Sequence, residues 1–183
     1  MVFTSDNGGL LRSTSNKPLR AGKGSAYEGG VRVPLLVRWP GVVKEGRLCE
    51  TPVITPDWHP TLAAAAGAAP DPKQIVDGAS LLPLLENSGS LARDAIFWHY
   101  PHYHGGGATP HGAVRKGNFR LVEFFEDQRI ELYNLIDDVG ETKDLAGAMP
   151  KKAQELRKLL ADWRVSVGAQ MPTVNPDYDP KGK

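Results

Sequence analysis

The 183-residue chain holds one cysteine, Cys49, so no disulfide can form within it. No apolar run approaches the roughly 20 residues that a membrane-spanning helix requires. The first residues lack the basic-then-apolar pattern of a secretory leader. There is no surplus of one charge: 22 Lys and Arg against 21 Asp and Glu leave a net +1, which supplies no bulk field for nucleic acid or an anionic membrane. No internal repeat is visible, and no low-complexity tract beyond Ala63–Ala66. What is present is ordinary for a globular protein, with 40% hydrophobic and 23% charged residues in a length that buries a core for one domain or one and a fraction. The 20 glycines and 15 prolines point to turns and long connections, and away from a helical bundle.

Residues 2–5 read as a strand, followed by a loop rich in Gly, Ser and Asn to about Gly24. The apolar run Val33 to Trp39, ended by Pro40-Gly41, reads as a buried strand and a turn. Asp57 is an N-cap candidate for a helix through Trp58, Leu62 and the alanines, stopped by Gly67. Strand, loop, strand, helix is α/β grammar, and it extends over residues 1–69. A polar connection over 70–94 carries one short apolar turn, Leu81 to Leu85. Residues 95–168 then read as strands at 95–100, 113–116, 119–125 and 130–135, with Gly117-Asn118 and Asp127-Gln128 as tight turns. A helix begins near Pro150, with Ala153, Leu156, Leu159, Leu160, Trp163 and Val167 on one apolar face. This predicts an antiparallel sheet covered by one helix, and residues 169–183 are expected to form an extended tail.

Asp6 and Asn7 fall where the first strand ends, the position at which α/β sheets collect ligands. Their side-chain oxygens suit a hard cation such as Ca²⁺ or Mg²⁺, although two ligands are far short of the six or more such ions need. The same residues also serve an Asp-Asn-Gly-Gly turn. Lys23, between Gly22 and Gly24, is a compact point charge in a loop whose backbone can approach a small oxyanion; it can equally be an exposed loop lysine. Glu28 and Arg32 read as a brace of that loop. Cys49 has no activating surroundings and reads as an inert thiol, and His59 as a packing or capping residue. His99, His102, His104 and His111 cluster without a recognisable zinc spacing. With Tyr100 and Tyr103, they suit recognition of a sugar or aryl group at a cleft rim, or form a hydrated loop.

Taken in order, the segments are more specific than any one alone. Phe3-Thr4-Ser5-Asp6-Asn7-Gly8-Gly9, Gly22-Lys23-Gly24-Ser25-Ala26-Tyr27-Glu28-Gly29-Gly30-Val31-Arg32-Val33-Pro34 and Trp39-Pro40-Gly41 are followed by Thr55-Pro56-Asp57-Trp58-His59-Pro60-Thr61-Leu62. Glu131-Leu132-Tyr133-Asn134-Leu135 comes next, then Asp138, Gly140 and Glu141. This series resembles the C-terminal part of type I, formylglycine-dependent sulfatases, the arylsulfatase family, over nearly the whole chain.

The resemblance implies an α/β fold: the C-terminal part of an alkaline-phosphatase-like sulfatase domain, followed by a small antiparallel sheet with one packed helix. It implies that Asp6 and Asn7 are the second ligand pair of a Ca²⁺ (or Mg²⁺) site, and that Lys23 holds the substrate sulfate. The substrate implied is a sulfated sugar or aryl ester, with His102, Tyr103 and His104 as candidate contacts, and the intact protein would be periplasmic or secreted. The chain departs from the family in having no Cys/Ser-x-Pro-x-Arg motif, the source of the formylglycine nucleophile, and no early aspartate pair. The lysine and histidine that relatives supply from mid-chain are also absent. A fragment inactive by itself is therefore expected, with an incomplete cation site and an apolar sheet edge open to self-association. A phosphoesterase or phosphonate hydrolase of the same superfamily, and a non-catalytic glycan-binding or interaction module, are the alternatives.

Overall fold

The computed structural model describes residues 1–68, 71, 73–105, 107–173 and 175–178. The expected boundary at residue 70, Gly106 of the glycine run and the end of the tail lie outside them. In chain order the elements are β1 (Val2–Thr4), α1 (Glu28–Val31), β2 (Leu35–Val37), α2 (Trp58–Ala65), α3 (Leu82–Leu85), β3 (Ala95–Tyr100), β4 (His111–Lys116), β5 (Phe119–Phe124), β6 (Ile130–Asn134) and α4 (Pro150–Ser166). They form two compact units that interleave in sequence: Met1–Gly8 with Arg32–Ile96, and Gly9–Val31 with Phe97–Lys183. The stretch Gly9–Val31, grouped by sequence order with the leading α/β segment, thus packs with the C-terminal half.

In the first unit β1 pairs antiparallel with β2, with Phe3 opposite Leu36. β2 is shorter than the apolar run because Pro34 and Pro40 flank it and neither can donate to a ladder. A 3₁₀ turn over Thr55–Asp57 leads into α2. Asp57 takes the N-cap position but makes no side-chain cap bond. Its fully buried carboxylate instead accepts the N–H groups of Ile54 (2.8 Å) and Ala79 (2.9 Å) and a two-pronged bond from Arg93 (2.7 and 2.8 Å). Thr61 Oγ1 donates to the Asp57 carbonyl (2.6 Å) and accepts from Leu81 N–H (2.8 Å), which ties α2 to the entry of α3. Gly67, at φ +71°, follows the helix where its end was expected.

The second unit is built on the four-stranded sheet β3-β4-β5-β6, with β4, β5 and β6 paired antiparallel. Gly117, at φ +57°, opens the two-residue turn between β4 and β5 and fixes Lys116 opposite Phe119. β4 begins at His111, two residues earlier than expected, because His111 pairs with Phe124. One face of the sheet carries α4, which packs on β4, β5 and β6 through Ala153, Leu156 and Leu160, all fully or almost fully buried. Phe97 of β3 stacks on Trp163 with ring centroids 4.8 Å apart and planes 4° from parallel. Val167, assigned to the apolar face by its spacing, is 52% exposed, because the helix has ended. There Gly168 (φ +62°) donates to the Val165 carbonyl and Ala169 to that of Arg164, a Schellman closure. On the opposite face Ala113, Val122 and Phe124 form a cluster with Ala26, against which Tyr27 and Trp98 pack. The glycine-rich segment from early in the chain is therefore the second cover of a C-terminal sheet.

Candidate functional site

The carboxylate of Asp6 and the amide of Asn7 meet directly after β1. Asn7 Nδ2 donates to Asp6 Oδ1 at 2.8 Å, and Ser5 Oγ donates to the Asn7 carbonyl at 2.9 Å. That orientation leaves Asn7 Oδ1 and the second Asp6 oxygen uncommitted in this contact, and Asp6 is exposed. The side-chain atoms left there are oxygens, the type of atom a hard cation takes. Among the described residues no group of three or more His, Cys, Asp or Glu side chains is placed to hold a metal ion. Asp6 and Asn7 belong to the first unit, and Lys23 with the His/Tyr loop to the second.

Lys23 is exposed on a loop held by backbone bonds from several directions. Its own N–H donates to the Gly9 carbonyl (3.1 Å), and Ser25 N–H donates to that of Gly22 (3.0 Å). Asn16 clamps the base of the loop. Its Nδ2 donates to the carbonyls of Gly9 (2.7 Å) and Ala21 (3.1 Å), and its Oδ1 accepts Gly9 N–H (3.0 Å). Gly29 must lack a side chain, since a Cβ there would lie 2.3 Å from the carbonyl oxygens of both Arg20 and Ala21.

The histidine loop reaches the same place. Gly24, at φ +79°, is covered by the His104 ring so closely that a Cβ would fall 2.2 Å from His104 Nδ1. His104 thus stands beside the residue that follows Lys23. His104 N–H donates to the Ala108 carbonyl and Gly107 N–H to the His104 carbonyl, both 2.9 Å. Tyr100 is the hub of the rings, with His102, His104 and His111 at 5.5, 6.5 and 5.6 Å. His102, Tyr103 and His104 are exposed. The Tyr103 hydroxyl donates to Glu126 (2.7 Å), which raises its pKa above the ordinary phenol value. His111 is buried; burial lowers its pKa against the opposing effect of its contact with the Thr109 carbonyl, so it is a neutral packing residue. His99 contacts the Gln170 carbonyl through Nε2 (2.7 Å). Cys49 is free and exposed.

Beneath the loop lies a charged cluster that the sequence did not announce. Arg120 of β5, fully buried, donates to Glu28 Oε1 and to the Ala26 carbonyl. Glu28 N–H donates to Glu141 Oε2 (2.7 Å). Arg20 donates to the Tyr133 hydroxyl (2.9 Å) and the Glu141 carbonyl (3.0 Å), with its guanidinium 3.7 Å above the Tyr27 ring. Tyr27 and Tyr133 both donate to Glu131. Burial pushes the Tyr133 hydroxyl up to about 12, against the pull of Arg20. The Glu28 brace expected from the sequence is therefore anchored on Arg120. Alternation along β5 was the available signal, because Arg120 shares a face with Val122 and Phe124, which are buried.

A four-stranded sheet carrying one helix, and a strand pair followed by helices, are the parts of an α/β protein. Residues 22–166 match the family described as N-sulphoglucosamine sulphohydrolase, C-terminal. The chain belongs to the sulfatase family, as its C-terminal portion. It is 37% identical over 184 residues to a sulfatase of Formosa agariphila, covering 92% of this chain and 33% of that protein. It is 35% identical over 187 residues to human arylsulfatase A, covering 87% of this chain and 36% of that protein. The crystal structure of Ps i-CgsB in complex with k-i-k-neocarrahexaose superposes with a TM-score of 0.79 at 32% identity, over 94% of this chain and 37% of that one. The chain thus spans about a third of the length of the curated relatives it matches.

Proposed function

We propose that this chain supplies the oxyanion lysine and one cation-ligand pair of a sulfuric ester hydrolase acting on sulfated sugars or aryl sulfates. Lys23 holds the sulfate oxygens, and Asp6 and Asn7 ligate Ca²⁺ or Mg²⁺. The observation that carries this reading is the closure of the His104 ring onto Gly24, beside Lys23. It sets a point charge for an anion next to imidazole and phenol groups fitted to the organic part of an ester. The neighbour bound to a sugar hexamer favours the carbohydrate form of the substrate. His102, Tyr103 and His104 contact that sugar or aryl group. Asp6 and Asn7 would hold a divalent cation through side-chain oxygens, and the cation would supply positive charge to an anionic ester. The chain's own part is to fix the anion with Lys23 and to shape the rim with its histidines.

These 183 residues hold no Cys/Ser-x-Pro-x-Arg motif; on this reading the formylglycine nucleophile is supplied from elsewhere, and the chain by itself does not turn over an ester. The exposed apolar residues of the β1–β2 pair, Phe3 at 61% and Leu36 at 57%, take part in self-association when nothing else covers them.

The test is titration of the chain with sodium sulfate and with sodium phosphate, followed by NMR at the amides of residues 22–25. Saturable sulfate shifts lost in Lys23→Ala are expected; shifts equal in wild type and Lys23→Ala would overturn the lysine's role. Shifts with phosphate alone would move the reading to a phosphoesterase. Turnover of an aryl sulfate by the pure chain would overturn the claim that the nucleophile lies elsewhere.

A further inference from the structure

Glu141 lies in the turn after β6, more than a hundred residues from Lys23 in sequence, and it is fully buried. Three observations single it out. Its backbone sits at φ +52°, a conformation that costs a side-chain-bearing residue on the order of 1 kcal/mol or more and persists only where the surroundings demand it. Glycine, the residue suited to that conformation, is available one position earlier as Gly140, yet the glutamate occupies the strained place. Its carboxylate is spent on the segment that carries Lys23: Oε2 accepts Glu28 N–H (2.7 Å), and Oε1 faces Arg120 Nε at 3.5 Å. Arg120 in turn holds Glu28 Oε1 and the Ala26 carbonyl, and Arg20 returns from the loop to the Glu141 carbonyl.

The pieces form one strut. From Glu141 it runs through the ion pair with Arg120 to Glu28 and Ala26, five and three residues after Lys23, and from the Glu141 backbone carbonyl to Arg20, three residues before Lys23. Both arms end on the loop, and their other end is the sheet. The carboxylate at 141 therefore anchors the Ala26–Glu28 end of the loop, while the backbone carbonyl of residue 141 holds Arg20 at the other end. A simple fold-stabilising role needs neither the strained backbone nor a charge, because an apolar residue of similar volume in a buried ion cluster is often equally stable.

We infer that Glu141 is a positioning residue for the oxyanion lysine: by holding Glu28 N–H and Arg120 it fixes the 20–28 segment so that Lys23 stands where His104 closes on Gly24. This rests on the reading of Lys23 given above.

The test uses the full chain as wild type, Glu141→Ala, Glu141→Gln, Glu141→Gly and Lys23→Ala, with amide exchange and sulfate titration read together. In Glu141→Ala the amides of residues 22–28 are expected to exchange about tenfold faster, while Leu121 and Val122 in β5 keep their protection. Sulfate affinity should fall about tenfold with it. Glu141→Gln, whose amide oxygen still accepts Glu28 N–H, should recover most of both losses. Glu141→Gly relieves the backbone and should not recover either. Loop protection unchanged in Glu141→Ala and Glu141→Gly overturns the inference. So does a loss shared equally by β5, which marks general destabilisation. If the alanine variant does not fold, the glutamine and glycine variants give the same contrast. Should wild type and Lys23→Ala bind sulfate alike, the sulfate reading fails, and loop exchange alone then decides whether the strut exists.

Discussion

Truncation of Asp57 to alanine is expected to cost the first unit about 4 kcal/mol. The estimate follows from what the carboxylate holds. Arg93, whose side chain is 17% exposed, loses both bonds to a partner that is fully buried. Removing one member of a buried pair costs roughly 3–5 kcal/mol, because the other charge stays where it is. The N–H groups of Ile54 and Ala79 lose their acceptor as well. Each such orphan is worth about 1–3 kcal/mol in isolation, but all of them face one vacated space that water can enter, so the penalties do not add. A loss of that size is a large share of the roughly 5–15 kcal/mol by which domains are stable.

The effect carries a pH signature. Burial pushes the Asp57 carboxyl up, but Arg93 and the two N–H groups outweigh it, and the net pKa lies below the usual 3.8. A group depressed in the folded state stabilises fully above its unfolded value and loses that contribution as pH falls through the folded value. The gap between wild type and Asp57→Ala should therefore be full at pH 7 and shrink below about pH 3.8. Urea titrations followed by NMR give the measurement, with the amides of residues 61–65 reporting the first unit and Leu121 and Val122 the second. A loss under about 1 kcal/mol at pH 7, or a loss as large at pH 3 as at pH 7, would refute the reasoning.

Three further outcomes are expected. Gly24→Ala should cost about 1 kcal/mol or more from its φ of +79° and push the His104 ring off the loop, seen as a shift of the His104 imidazole resonances and weaker sulfate binding. Leu156→Ala, a fully buried position of α4 against the sheet, should destabilise the second unit by about 3 kcal/mol in the same urea titration. Calcium should bind at about millimolar affinity and lose its shifts at Asp6 and Asn7 in Asp6→Ala; a sub-micromolar affinity would mean that ligands beyond this pair complete the site.

The hairpins and α4 were legible because their signals are local. A glycine turn of two residues sets the register of β4 on β5, and five apolar residues at helical spacing, Ala153 to Trp163, mark α4. The family was legible in the ordered motifs around Asp6, Asn7 and Lys23, none of which is specific by itself. The Glu28–Arg120–Glu141 cluster was not legible. Alternation sets Arg120 on the apolar face of Val122 and Phe124, but nothing near it in sequence announces that residues 20–28 will bring Glu28 to that face. Asn16 was equally silent, since an asparagine that copies a backbone pairing partner carries no spacing signal. The same long-range closure explains Asp57. Its position at the start of α2 follows from local pattern, whereas its commitment to Arg93 depends on a residue 36 positions away.

The interleaving of the two units also orders events in time. The segment carrying Lys23 is made early, but its anchor at Glu141 follows Glu28 by 113 residues. At a synthesis rate of roughly 5–20 residues per second, that segment leaves the ribosome about 6–23 seconds before the last piece of its seat exists. Until then Gly9–Val31 is a tethered strap with no surface to lie on, and β1 and β2 on either side of it must find each other across an unsettled loop. The closure is paid late, when the hairpins of β4 to β6 have formed. Chaperones and proteases in the cell would meet the segment around Lys23 first as unstructured chain.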